Sequence, residues 1–126
     1  MKLTDSEIQI MELFWTGGKK LTGQDILAIS PKEKLWKDNS IFIMLQTLIK
    51  KDAIREIGAI KGSTGKYQRV FEPTLSREDY YGSIFAETVS EESIPLVFAS
   101  LLDKTTFSKK TLSELEGIIA AKIKGL

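Results

Sequence analysis

One stretch patterned for two β-strands interrupts a chain otherwise patterned for helices, and Pro73 fixes where that stretch ends. Three helical segments precede it. Thr4-Asp5-Ser6-Glu7 reads as a capping box. Behind it Ile8, Met11, Leu13, Phe14 and Trp15 form an apolar stripe at helical spacing, ended by Gly17-Gly18. Thr22-Gly23-Gln24-Asp25 opens a second, short helix through Ile26, Leu27 and Ile29. Pro31 closes it, because the residue before a proline is pushed out of the α region. Lys32 to Lys37 is a polar connection, and a third helix runs from Asn39 to Lys51. Then the period changes. Ala53 to Lys61 carries Ile54, Ile57 and Ile60 among polar residues, and Lys66 to Glu72 carries Tyr67 and Phe71. Gly62-Ser63-Thr64-Gly65 joins them, which makes a hairpin.

Helix, helix, helix, two-stranded ribbon is the winged helix-turn-helix order. After Pro73 helical spacing returns. Ser76-Arg77-Glu78-Asp79 caps a helix carrying Tyr80, Tyr81, Ile84, Phe85 and Val89, and Pro95 stands near the start of the next, with Leu96, Val97, Leu101 and Leu102. Ser108 caps the last, with Leu112, Leu115, Ile118, Ile119 and Ile123. About fifty residues of helix cannot bury so many apolar side chains alone, and pairing with a second copy is the economical solution. The expected fold class is mainly α: a winged helix-turn-helix over 1–74 followed by a helical dimerisation region over 75–126. The pairing residues expected there are Tyr81, Ile84, Phe85, Leu96, Val97, Leu101, Leu102, Leu112, Leu115, Ile118 and Ile119.

Composition removes whole classes of chemistry. With no cysteine and no histidine among 126 residues, thiol nucleophiles, zinc fingers and imidazole acid–base catalysis are excluded. The acidic pairs Glu78-Asp79 and Glu91-Glu92 are adjacent, so on a helix their side chains diverge. Neither an enzyme nor a bound cofactor or metal is expected. No run approaches the ~18 apolar residues of a membrane span. The opening MKLTDSEIQ turns acidic and amphipathic at once, unlike a signal peptide, so the cytoplasm is the expected location.

Net charge is only +1, but its distribution is uneven. Met1 to Thr74 holds 12 Lys and Arg against 9 Asp and Glu, whereas Leu75 to Leu126 holds 6 against 8. Six cations lie between Lys50 and Arg69: Lys50, Lys51, Arg55, Lys61, Lys66 and Arg69. A local basic patch on a near-neutral chain suits a surface set against phosphate. On a wheel of about 100° per residue, Ile41, Met44, Leu45, Leu48 and Ile49 of the third helix cluster together, with Phe42 at their margin. Opposite lie Asn39, Ile43, Gln46, Thr47 and Lys50, joined at the helix start by Ser40. Asn and Gln suit adenine N6/N7, and Ile43 suits a thymine methyl. A helix reading IFIMLQTLI is nevertheless apolar nearly all round, and such helices are usually buried. Its place between a capped helix and a basic hairpin is what favours exposure. At the hairpin tip Lys61, Lys66 and Arg69 are the expected phosphate or minor-groove contacts, and Tyr67 is expected to pack beneath the wing.

Three segments carry a family resemblance. LTDSEIQIMELFW resembles the opening helix of penicillinase-repressor (BlaI/MecI) proteins, and WKDNSIFIMLQTLIKKDAI resembles their recognition helix and the turn after it. GKYQRVFEPTLSREDYYG is similar to their second wing strand and the start of their dimerisation helix. The resemblance spans essentially the whole chain and implies a dimeric repressor on a palindromic duplex DNA operator. It also implies a membrane sensor protease that cuts within the dimerisation region, by position at Ser100-Leu101. The Asn-Phe pair typical of the cleaved members is absent, as is the cysteine-rich tail of the copper-responsive branch. Where the family usually has basic residues in the recognition helix, this chain has Phe42 and Thr47, and it has Ile43 in place of a threonine. Those departures leave a second reading open: a winged-helix protein-interaction module with little or no DNA binding.

Overall fold

The computed structural model describes residues 1–17, 19–62 and 64–126, so Gly18 of the first helix stop and Ser63 of the hairpin connection lie outside the described residues. The chain divides into two compact units, Met1–Ala86 and Glu87–Leu126.

The first unit is a winged helix. α1 (Asp5–Gly17), β1 (Leu21–Thr22), α2 (Gly23–Ile29) and α3 (Ile41–Lys50) precede β2 (Ile54–Lys61) and β3 (Tyr67–Pro73). The strands form one antiparallel sheet in the order β1-β3-β2. Both N-terminal capping boxes form. The Thr4 amide donates to Glu7 Oε1 at 2.8 Å while the Glu7 amide donates to Thr4 Oγ1 at 3.2 Å, and Thr22 and Asp25 exchange the same pair of bonds at α2. Ile10, Met11 and Phe14 of α1 meet Ile26 of α2, Ile41, Leu45 and Leu48 of α3, Ile54 of β2 and Phe71 of β3 in the core.

Three details differ from expectation. β1 is two residues long, too short to show alternation, yet Leu21 and Thr22 pair with Phe71 and Val70. The connection from Lys32 to Lys37 is not wholly polar, since Trp36 is buried in the core. The third helix begins as a 3₁₀ turn over Asp38–Ser40 and becomes α-helical only at Ile41. Its other end is a Schellman motif: the Ala53 amide reaches the Leu48 carbonyl and the Asp52 amide the Ile49 carbonyl, each at 2.9 Å. That closure puts Asp52 at φ 61, in the left-handed region, and aims the chain into β2. A bulge between Glu56 and Gly58 then bends β2, with Gly58 at φ 155.

α4 (Arg77–Thr88) begins within this unit, which therefore continues past Thr74. The family-like Ser-Arg-Glu-Asp-Tyr segment fastens it. Ser76 Oγ accepts from the Asp79 amide at 3.1 Å as the cap. Arg77 pairs with Glu12 on α1 and lies 5.7 Å over the Trp15 ring, and Trp15 Nε1 donates to the Leu75 carbonyl at 3.0 Å. The buried Tyr80 hydroxyl accepts from the Leu3 amide at 3.0 Å.

The second unit holds α5 (Ile94–Lys104), with Pro95 in its first turn, and α6 (Lys109–Lys124), capped by Ser108. Among the described residues of these two helices none is buried, although many are aliphatic.

Candidate nucleic-acid interface

α3 buries one face and presents the other. Ile41, Leu45 and Leu48 sit in the core, while Asn39, Phe42, Ile43, Gln46 and Lys50 are exposed and Ser40 and Thr47 are half-buried. Ile43, at 73% exposure, occupies the centre of the outward strip, and Phe42, at 61%, its edge. The Thr47 hydroxyl is turned back on its own helix, donating to the Ile43 carbonyl at 3.1 Å. Phe42 leans against the start of α2. A Cβ on Gly23 would come within 2.9 Å of its ring, so glycine there makes room for the aromatic side chain. Between that ring and β3 runs a groove lined by Gly23, Gln24, Phe42, Lys66, Tyr67 and Arg69. Tyr67 does not pack beneath the wing. It is 73% exposed, because its partner in register, Lys61, lies at the tip of the hairpin where no core reaches.

The six cations divide into two groups. Lys51 Nζ donates to Glu7 Oε1 at 2.6 Å, Arg55 Nε to Glu72 at 2.8 Å, and Arg69 to both Glu56 oxygens at 2.7 and 3.2 Å. Arg69 also stacks 5.1 Å over the Phe71 ring. Its hydrogen bonds with Glu56 raise the Arg69 pKa and lower that of Glu56 against a small desolvation. Glu7 is buried. Burial pushes its carboxyl up, but Lys51 together with the amide and hydroxyl of Thr4 outweighs this and holds it below its usual value. The Lys51–Glu7 pair thus pins the C-terminal end of α3 to the first turn of α1. Lys50, Lys61 and Lys66 are exposed and, among the described residues, have no carboxylate within ion-pair distance. Three lysines, not six cations, are therefore available to phosphate. Sequence reading missed this, because each cation's partner lies at a distance in the chain.

Of the expected pairing residues, Leu96, Leu101, Leu102, Leu112, Ile118 and Ile119 are exposed, and Val97 and Leu115 are half-buried. On α4, Ile84 packs against the winged-helix core, Phe85 is half-buried, and the exposed Tyr81 ring lies 5.2 Å edge-on to Tyr80. Ser100 and Leu101 lie exposed within α5. No helix of the described residues is long and apolar enough to cross a membrane.

Three helices, a short sheet and a wing beside an outward-facing third helix define a winged helix-turn-helix fold. The chain belongs to the penicillinase repressor family, whose model matches residues 3–121, and so stands among transcriptional repressors rather than enzymes. An uncharacterized 16.5 kDa protein from the ptsI 3′ region of Latilactobacillus sakei is 22% identical, over 96% of this chain and 80% of that one. Among solved structures, the chain is similar to Bacillus subtilis PadR in complex with operator DNA (21% identity, TM-score 0.48, 94% of this chain and 69% of that one). It is also similar to the adhesin competence repressor AdcR of Streptococcus pyogenes (18% identity, TM-score 0.41, 98% and 82%).

Proposed function

We propose that this repressor acts in the cytoplasm as a homodimer that binds a palindromic operator. Residues 1–74 serve as the DNA-binding part and 75–126 as the dimerisation part. The observation that carries the reading is the strip on α3: Asn39, Ile43, Gln46 and Lys50 face outward beside the unpaired wing lysines Lys61 and Lys66, while the opposite face is core. In this reading Asn39 and Gln46 bond base edges from the major groove, and Ser40, Thr47 and Lys50 contact its margins. Lys61 and Lys66 hold phosphates at the wing, with Arg69 in reserve behind Glu56. The uncovered aliphatic side chains of α5 and α6 supply the dimer contact, since a pair of such faces is stable only when water is excluded from it. Relief by a membrane sensor protease at Ser100–Leu101 would require α5 to open first, because that bond lies inside a helix.

A gel-shift series against the chain's own promoter region tests the reading. Binding is expected to be sequence-selective and to weaken steeply with salt. Lys66→Ala is expected to weaken every duplex alike, and Gln46→Ala to relax selectivity at one base pair. Equal affinity for random duplex overturns the operator-specific form. Negligible binding at physiological salt favours the interaction-module reading, to which the exposed Phe42 and Ile43 also lend themselves.

A further inference from the structure

Two large apolar side chains at the centre and edge of a DNA-facing strip need an occupant, and the polar groups around them narrow its chemistry. We propose that Ile43, flanked by Phe42, reads thymine C5-methyl groups in the major groove, so that the half-site is specified by A·T steps through methyl contact as well as hydrogen bonds. The inference rests on the operator-binding reading above. Ile43 and Gln46 are one helical turn apart on one face, about 4.5 Å along the axis, and base pairs stack about 3.4 Å apart, so the two side chains address the same or adjacent pairs. An amide at Gln46 suits adenine N6/N7, and the partner of adenine presents the only methyl group on the floor of that groove. Thr47 donates no rival hydrogen bond, because its hydroxyl hydrogen is already committed to the Ile43 carbonyl. Phe42 is braced by the close approach of Gly23 and walls the strip on the side of the wing. Ile43 and Gln46 at the centre of the strip thus complement an A·T pair, while Lys50, one turn further on, is left to phosphate or guanine at its margin.

The test uses the full chain and a site enriched from a random duplex library. Each thymine of that site is replaced in turn by deoxyuridine, which keeps the pairing and removes only the methyl. One or two positions per half-site are expected to lose about three- to fivefold in affinity, the effect of withdrawing one methyl-sized group from contact. Ile43→Ala, whose melting should be unchanged because the side chain is exposed, is expected to bind thymine and uracil sites alike. Tight binding of the enriched site with uracil tolerated everywhere overturns methyl readout and leaves operator binding standing. An equal uracil penalty in wild type and Ile43→Ala overturns the assignment to Ile43. Failure to enrich any sequence overturns the operator reading and the inference together.

Discussion

Glu56→Gln is expected to make this repressor bind DNA more tightly. Glu56 grips Arg69 through two hydrogen bonds, at 2.7 and 3.2 Å, and both side chains stand about half exposed on the wing. A neutral amide releases the guanidinium without emptying space or exposing core. Each phosphate neutralised adds roughly −0.9 to the slope of log affinity against log salt. In the proposed dimer the three unpaired lysines of each protomer would give a slope of about −5, and one freed arginine per protomer would steepen it by about 1.8. If counterion release alone supplies the gain, it vanishes near 1 M salt and reaches on the order of 60-fold at 0.1 M. Acid cannot imitate the substitution under ordinary conditions, since Arg69 holds the Glu56 carboxyl below its usual range. Fluorescence anisotropy of a labelled duplex across a salt series reads both quantities. Arg69→Ala, removing a cation already matched, is expected to change the slope little, and Glu56→Gln with Arg69→Ala should return to the Arg69→Ala value. A slope in Glu56→Gln indistinguishable from wild type would refute the reasoning, because the guanidinium would then be out of reach of phosphate even when free.

Lys51→Met strands Glu7 in the core with only Thr4 as partner, at a cost of about 1–2 kcal/mol at neutral pH, the low end for a charged hydrogen bond because Lys51 is partly solvated. Glu7 titrates below its usual value in the native state, so its contribution is complete above about pH 4.3 and fades as pH falls through the lowered value. Urea unfolding followed by the fluorescence of buried Trp36 should accordingly show the variant's deficit closing in acid, and a deficit independent of pH contradicts the pairing. Tyr80→Phe leaves the Leu3 amide without an acceptor and is expected to cost about 1–3 kcal/mol in the same assay, with an unchanged midpoint as the contrary result. Ile118→Glu places charge on the most exposed large aliphatic side chain of α6 and should shift the proposed dimer to monomer in sedimentation, whereas a wild-type chain that sediments as a monomer removes the dimer altogether.

Local signals were legible in the sequence. The caps at Thr4, Thr22, Ser76 and Ser108 form because donor and acceptor lie within three residues of each other, so no tertiary fold is needed to recognise them. The two faces of α3 follow from its period, and the buried set agrees with the wheel at Ile41, Leu45 and Leu48. β1 was hidden because two residues carry no period, and Trp36 because a lone aromatic in a lysine-rich connection gives no sign of which way it turns. The Ser-Arg-Glu-Asp-Tyr segment could be recognised but not explained. Its arginine and tyrosine act on Glu12 and Leu3, far back in the chain.

Charge was the least legible property, and it bears most on function. Counting from Lys50 to Arg69 gives a strongly basic patch, but three of its six cations meet carboxylates 44, 17 and 13 residues away. A pair across strands or between helix ends is set by register and by the Schellman turn at Asp52, neither of which a window of sequence displays. Once these pairs are counted, the surface beside α3 carries fewer free cations and more apolar area than composition implies. Phosphate attraction must then contribute less of the binding free energy, and contacts in the groove more. Such a surface is expected to discriminate between sequences well while holding non-specific DNA weakly, because non-specific affinity comes almost wholly from the phosphate contacts that the internal pairs have withdrawn.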